Sequence, residues 1–208
     1  MNETQPNFPK VSIGLPVYNG ELFLKTAIDS LLNQSYSNFE LIISDNNSTD
    51  STQRICQEYA KNDDRIRYIK QEKNIGPYPN FYFVLSQSKG KYFMWAAVDD
   101  SWDKRFIGKL VNKLESNDSF SAVQSATMNI SESDFEVIGY VRFNGAKNPE
   151  KCSMLQLTNK IVSPLKYNLY IYGLFRRELL AEAFKYFPSV PSSDSWFLLQ
   201  FPLAGYKL

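Results

Sequence analysis

The stretch VSIGLPVYNGELFLKTAIDSLLNQSYSNFELIISDNNSTD, residues 11–50, sets the architecture of the chain. Val11 to Pro16 is a short apolar run closed by proline, and beyond Tyr18-Asn19-Gly20 the apolar positions Leu24, Ile28, Leu31 and Leu32 recur at helical spacing. Leu41-Ile42-Ile43 reads as a second buried strand ending in Ser44-Asp45-Asn46-Asn47. Ser48-Thr49-Asp50-Ser51 then supplies capping side chains for a helix carrying Ile55 and Tyr59. Strand, loop and helix have occurred twice between Val11 and Tyr59.

Outward from this stretch the alternation continues. Ile66 to Ile69 reads as a third strand, Asn74-Ile75-Gly76-Pro77 as a turn, and Asn80 to Lys89 as a third helix stopped by Gly90. Tyr92 to Val98 is an almost unbroken apolar strand of the kind covered on both faces, and it runs straight into Asp99-Asp100. A helix from about Lys104 to Glu115 and a strand near Ala122 to Ser125 follow. The polar stretch Ile130 to Cys152 suggests a hairpin or an excursion from the sheet. Tyr170 to Phe175 resumes as a strand, and Arg177 to Tyr186 and Ser195 to Leu203 as helices. This order predicts a single α/β domain over residues 1–208, built on a Rossmann-like, doubly wound, mostly parallel sheet with helices on both faces. Ligands of such sheets collect at the carboxyl ends of the strands.

Composition narrows the chemistry. With 23 Lys and Arg against 22 Asp and Glu, the chain has no basic stripe for phosphate neutralisation, and nucleic acid is not an expected partner. It has no His, which excludes His-based triads, imidazole bases and the common zinc sites and leaves acid, base and metal work to carboxylates. Cys56 and Cys152 lack metal or redox spacing, no secretory leader pattern opens the chain, and a cytoplasmic setting is expected. No run of eighteen apolar residues is present; the ending Gly205-Tyr206-Lys207-Leu208 looks cut, and membrane association through a segment beyond Leu208 stays open.

Acidic and amide groups fall where such a sheet binds ligands: Asp45-Asn46 closes one strand, Asp99-Asp100 closes another, and Asp194 precedes a late helix. Spacing alone leaves plainer readings open. Asp99 to Ser101 would cap the following helix, Asn46 to Ser48 would form an Asx turn, and Asp194 would cap the helix of Trp196.

Order and spacing over Pro9 to about Gly205 resemble the family 2 glycosyltransferases, which have the GT-A fold. The matching pieces are Pro16-Val17-Tyr18-Asn19, Leu32-Asn33-Gln34-Ser35, Phe39 to Asp50, Asn74-Ile75-Gly76, Gly90-Lys91-Tyr92 leading to Asp99-Asp100-Ser101-Trp102, and Ser193-Asp194. The resemblance implies an inverting transfer of a sugar from a nucleotide-diphosphate sugar, UDP favoured, to a saccharide, lipid-linked or protein-glycan acceptor. It assigns Asp99 and Asp100 to Mg2+ or Mn2+, with one of them free to hold a ribose hydroxyl, and Asp194 to the general base. It places Pro16, Tyr18, Asp45, Asn46, Asn74 and Gly76 around the nucleotide, and Trp102 beside donor or acceptor. Asn46 departs from the family's common Asp-Asp, and Pro77-Tyr78-Pro79 stands where some members of the family carry Arg or Lys. Gly173-Leu174-Phe175-Arg176-Arg177 resembles the acceptor-side strand, with an Arg available to an anionic group or solvated at a packing point. Two other classes stay open: a silent nucleotide-sugar-binding module, and a nucleotidyltransferase, whose Gly-rich basic loop is missing after the first strand.

Overall fold

The computed structural model describes residues 9–118, 120–124, 127–130, 137–141 and 169–184. In chain order it contains β1 (Val11–Val17), α1 (Leu24–Leu32), β2 (Phe39–Asp45), α2 (Thr52–Asn62), β3 (Ile66–Lys70), α3 (Pro77–Ser86) and β4 (Tyr92–Trp95). There follow α4 (Phe106–Glu115), β5 (Ala122–Val123), β6 (Thr127–Ile130), β7 (Val137–Val141), a 3-10 turn (Leu169–Tyr172), β8 (Leu174–Arg176) and α5 (Arg177–Phe184). The main sheet has the order β3-β2-β1-β4-β8-β5, and β6 pairs with β7 in a separate two-stranded sheet. β3, β2, β1 and β4 are mutually parallel; β8 runs antiparallel to both β4 and β5. The mostly parallel α/β sheet expected from the sequence is therefore present, with one reversed strand.

Strand alternation explains the two layers. Val11, Ile13, Leu15 and Val17 of β1, with Leu41 and Ile43 of β2, pack with Leu24, Ile28 and Leu31 of α1, Ile55 of α2 and Leu110 and Leu114 of α4. On the other face Ile42, Phe93 and Trp95 meet Val84 and Leu85 of α3, Ile171, and Leu180 of α5. Trp95 is fully buried, its indole N–H donating to the Phe81 carbonyl at 3.0 Å, as expected for a core residue.

Four sequence boundaries move. Pro16 belongs to β1, paired with Ser44, and the loop begins at Tyr18. The Gly14 carbonyl turns to β4 and that of Val17 to β2, so alternation aims the Pro16 nitrogen at the β4 side, beyond the last pair Gly14↔Trp95. With no N–H to offer the next rung, Pro16 ends the β1–β4 ladder. α3 starts at Pro77 and ends at Ser86, because Gly76 at φ 86° turns the chain and proline suits the first helical position. β4 ends at Trp95, three residues before Val98. Residues 169–172 form a 3-10 turn, and the strand expected there is only Leu174–Arg176.

The amino ends of the strands are held by a buried polar cluster. Ser12 Oγ donates to Glu40 Oε1 at 2.6 Å, the Gly90 amide donates to Ser12 Oγ at 2.8 Å, and Arg67 Nη1 donates to Glu40 Oε2 at 3.0 Å. Gly90 is pressed so close that an added Cβ would lie 2.7 Å from the Ser12 backbone nitrogen and 2.9 Å from the Tyr92 carbonyl oxygen. Backbone atoms yield little, so Gly90→Ala is expected to destabilise the fold by about 3 kcal/mol. A urea melt with an unmoved midpoint would refute that placement. Among the described residues no helix is long and apolar enough to cross a membrane.

Candidate functional site

The sheet order reverses between β1 and β4: the chain winds from β1 through β2 to β3 on one side, then returns to place β4 on the other. At such a reversal the connecting loops part and leave room beyond the carboxyl ends of the strands. The loop after β1 and the turn after β4 meet there, since a Cβ on Gly20 would lie 2.8 Å from Val98 Cγ2. Asp99 and Asp100 are the next two residues.

Asp99 is exposed and Asp100 half-buried, and among the described residues neither carboxylate accepts a hydrogen bond or pairs with a cation. Burial, followed by the adjacent Asp99 charge, pushes the Asp100 carboxyl up to about 6. Capping is done by other groups. Asp103 Oδ1 accepts from the Arg105 amide at 2.9 Å, and Gln34 Oε1 accepts from the Ile107 amide at 3.0 Å at the start of α4. The capping alternative for Asp99 to Ser101 is thus set aside. Two adjacent carboxylates with no internal partner are hard oxygen donors suited to Mg2+ or Mn2+. They would leave the remaining positions to water and ligand oxygens, since no group of three potential ligands occurs among the described residues.

The raised Asp100 pKa has a stability consequence. From about pH 4, where an unfolded Asp ionises, to about pH 6, the folded state holds a proton that the unfolded state has lost. Stability therefore falls as pH rises through this window, and the penalty persists above it. Asp100→Asn should raise the melting temperature at pH 7.5 by about 2–5 °C, allowing for solvent screening, with the gain vanishing near pH 4. A gain independent of pH would contradict this origin.

The other edge loops are locked together. Asn19 and Asn47 adopt left-handed φ values of 50° and 62°, a conformation asparagine tolerates. The Asn19 amide donates to Ser48 Oγ at 2.9 Å, the Thr49 amide to Asn19 Oδ1 at 2.9 Å, the Gly20 amide to Thr52 Oγ1 at 2.8 Å and the Ser51 amide to Glu21 Oε2 at 2.9 Å. These bonds bind the β1–α1 loop to the β2–α2 loop and hold up Tyr18, which is 50% exposed. Of these supporting side chains the sequence marks Asn19 and Ser48 as turn and cap residues, and it does not single out Glu21 or Thr52.

Asp45 and Asn46 stand beneath this rim instead of on it. Asp45 has no exposed surface; Oδ1 accepts from the Ser48 amide at 2.8 Å and Oδ2 from the Tyr68 hydroxyl at 2.9 Å. Tyr68 is held protonated well above its ordinary value by burial and by this bond. Asn46, 3% exposed, accepts from the Ile75 amide at 2.8 Å and donates to Asn74 Oδ1 at 3.0 Å and the Gly76 carbonyl at 3.1 Å. The polar atoms of both residues are engaged by the chain itself and support the surrounding loops.

Trp102 stands two residues beyond Asp100. It is half-buried and packs against the α1 and α4 core, and its amide donates to Ser30 Oγ at 3.3 Å. Arg176 and Arg177 lie at the opposite end of the sheet, where Arg176 pairs in register with Tyr92, the first residue of β4. Arg176 Nε donates to the Phe120 carbonyl at 2.8 Å and Arg177 Nε to the Gly90 carbonyl at 2.6 Å, so these side chains are backbone clamps. Asn74 and Gly76 sit at the rim beside Asn46. Asp194 lies outside the described residues, as does Cys152.

Comparisons agree with this architecture. The chain is 30% identical over 173 residues to a GalNAc(5)-diNAcBac-PP-undecaprenol beta-1,3-glucosyltransferase of Campylobacter jejuni, covering 83% of this chain and 53% of that protein. It is 36% identical over 107 residues to TuaG of Bacillus subtilis, a putative teichuronic acid biosynthesis glycosyltransferase, covering 51% and 41% respectively. The chain thus spans about half the length of these relatives. In fold it resembles S. aureus TarS 1-349 in complex with UDP at TM-score 0.69 and 21% identity, covering 91% of this chain and 54% of that one. It also resembles the mannosyltransferase PcManGT from Pyrobaculum calidifontis in complex with GDP-Man and Mn2+, at TM-score 0.68, 20% identity and coverages of 96% and 54%. The sequence pattern described as Glycosyl transferase family 2 matches residues 12–184, and the chain belongs to that family.

Proposed function

We propose that this chain carries the donor-binding part of a glycosyltransferase that moves a sugar from a nucleotide-diphosphate sugar to a hydroxyl of a saccharide acceptor. The observation that carries the reading is the pair Asp99 and Asp100, carboxylates without a partner among the described residues, at the β1/β4 reversal in a family 2 chain. Asp99 and Asp100 would hold Mg2+ or Mn2+ there. Bound, such an ion supplies Lewis-acid stabilisation of the charge growing on the diphosphate.

The chain's own groups do the remainder. Tyr18 and the locked loops after β1 and β2 offer a rigid rim for base and ribose, and the 74–76 turn forms its β3-side wall. Asp194 accepts the proton of the acceptor hydroxyl as its oxygen attacks the anomeric carbon and the bond to the diphosphate breaks. A single displacement of this kind inverts the anomeric centre. UDP is the first nucleotide to test, supported by the TarS complexes with UDP and UDP-GlcNAc. Cell-envelope saccharides, free or lipid-linked, are the first acceptors, given the names of the Campylobacter and Bacillus relatives.

A thermal-shift panel of UDP, GDP, CDP and dTDP with and without Mn2+ tests the donor assignment. One nucleotide should stabilise the protein by several degrees only when Mn2+ is present. A flat response to all four rejects the reading, whereas binding with no turnover of any sugar nucleotide would favour a silent binding module.

A further inference from the structure

Asn46 is the one side chain in the described edge that joins the end of β2 to the turn before α3 with both halves of its amide. Oδ1 accepts from the Ile75 amide at 2.8 Å, while Nδ2 donates to Asn74 Oδ1 at 3.0 Å and to the Gly76 carbonyl at 3.1 Å. Its own backbone amide donates to the Val17 carbonyl at 2.8 Å, so the same residue is fixed to β1. Asn74 Oδ1 accepts a second bond, from the Gly76 amide at 2.9 Å, which closes the turn upon itself. Gly76 ends the turn just before α3 and has φ 86°, a conformation that glycine adopts readily.

We propose that Asn46 is a positioning residue for the donor nucleotide: its amide N–H groups hold the 74–76 turn closed against the end of β2, where the turn forms one wall of the nucleotide site. The inference rests on the donor-binding reading above. The chemistry needed is specific to an amide. A carboxylate of the same shape would keep the bond from Ile75 but would place an acceptor oxygen against two other acceptors, Asn74 Oδ1 and the Gly76 carbonyl. A hydroxyl would be too short to serve all three groups. Of these three side chains only the amide serves every partner of the turn.

Separate bonds hold α3 in place when this tie is cut. Asn80 Nδ2 donates to the Ser44 carbonyl at 3.0 Å and Asn80 Oδ1 accepts from Ser44 Oγ at 2.5 Å, while Val84 and Leu85 are buried against the sheet. Loss of the Asn46 donor should therefore open the turn while the helix stays packed.

The test is calorimetric titration of UDP with saturating Mn2+ into the full chain and into Asn46→Asp, Asn46→Ala and Asn74→Ala. At about pH 8 both Asn46 variants should bind UDP about tenfold or more weakly, and Asn74→Ala, altered at an exposed residue, several-fold more weakly. At about pH 5.5 the Asp variant should recover relative to the unmodified chain, because a carboxyl facing two acceptors takes up a proton readily and then donates again. The Ala variant should show no such recovery. Wild-type affinity in the Asn46→Asp or Asn74→Ala variant at high pH overturns the proposal, as does equal weakness of the Asp and Ala variants at both pH values. Failure of the unmodified chain to bind UDP would instead overturn the donor reading.

Discussion

Replacing Asp99 and Asp100 together by Ala is expected to lower sugar transfer by a thousandfold or more, about 4 kcal/mol of barrier, and to abolish Mn2+-dependent nucleotide binding. The change removes both carboxylates at the β1/β4 reversal and with them the groups that would hold a cation against the diphosphate. The usual objection to such a variant, that it unfolds, is answered by the local electrostatics. Burial and the charge of Asp99 already work against an ionised Asp100, raised to about 6, so the double variant should melt no lower than the parent at neutral pH. Calorimetry with UDP and Mn2+ alongside a melt gives both readouts. Retained metal-dependent affinity would remove these residues from the site.

Asp194→Asn carries the second large expectation. Its amide cannot take the proton of an acceptor hydroxyl, and the chain has no His to stand in. The turnover number should fall about a hundredfold to ten-thousandfold, with donor affinity within about threefold of the parent. That division of effect separates a base from a nucleotide ligand: a residue touching the donor would raise KM as well. A variant with the parental turnover number would end the assignment of Asp194.

Much of the scaffold was legible because it rests on local patterns. The apolar runs at Leu41 to Ile43 and from Tyr92 marked buried strands, and Leu41 to Ile43 and Tyr92 to Ala96 are fully buried. The period of Leu24, Ile28 and Leu31 marked one face of α1, and those three side chains are buried. Element ends were less legible. Where β4 stops depends on how far its neighbour β1 continues to pair, and where α3 starts depends on the turn at Gly76, neither of which hydrophobic periodicity encodes.

The site divides in the same way. Asp99 and Asp100 could be picked out because they follow an apolar strand directly, and the edge of a parallel sheet is common to all its strands. Residue type and position along a strand single out Asp45 and Asn46 but do not tell whether a side chain faces outward or is taken up by its neighbours, as both of these are. Arg176 and Arg177 were legible as charges but not as carbonyl clamps; their partners Phe120, Leu114 and Gly90 are brought near only by the reversed direction of β8.

The sequence by itself determined the alternation of strands and helices, the exclusion of imidazole chemistry and the concentration of carboxylates at strand ends, because each of these is a property of neighbours along the chain. Only the tertiary structure decided which polar groups remain free. Hydrogen bonds between residues about thirty positions apart, such as Asn46 to Ile75 and Asn19 to Thr49, use up some side chains and leave Asp99 and Asp100 without partners among the described residues. A hydrogen bond takes its partner from whatever folding brings within about 3 Å, at any separation in sequence.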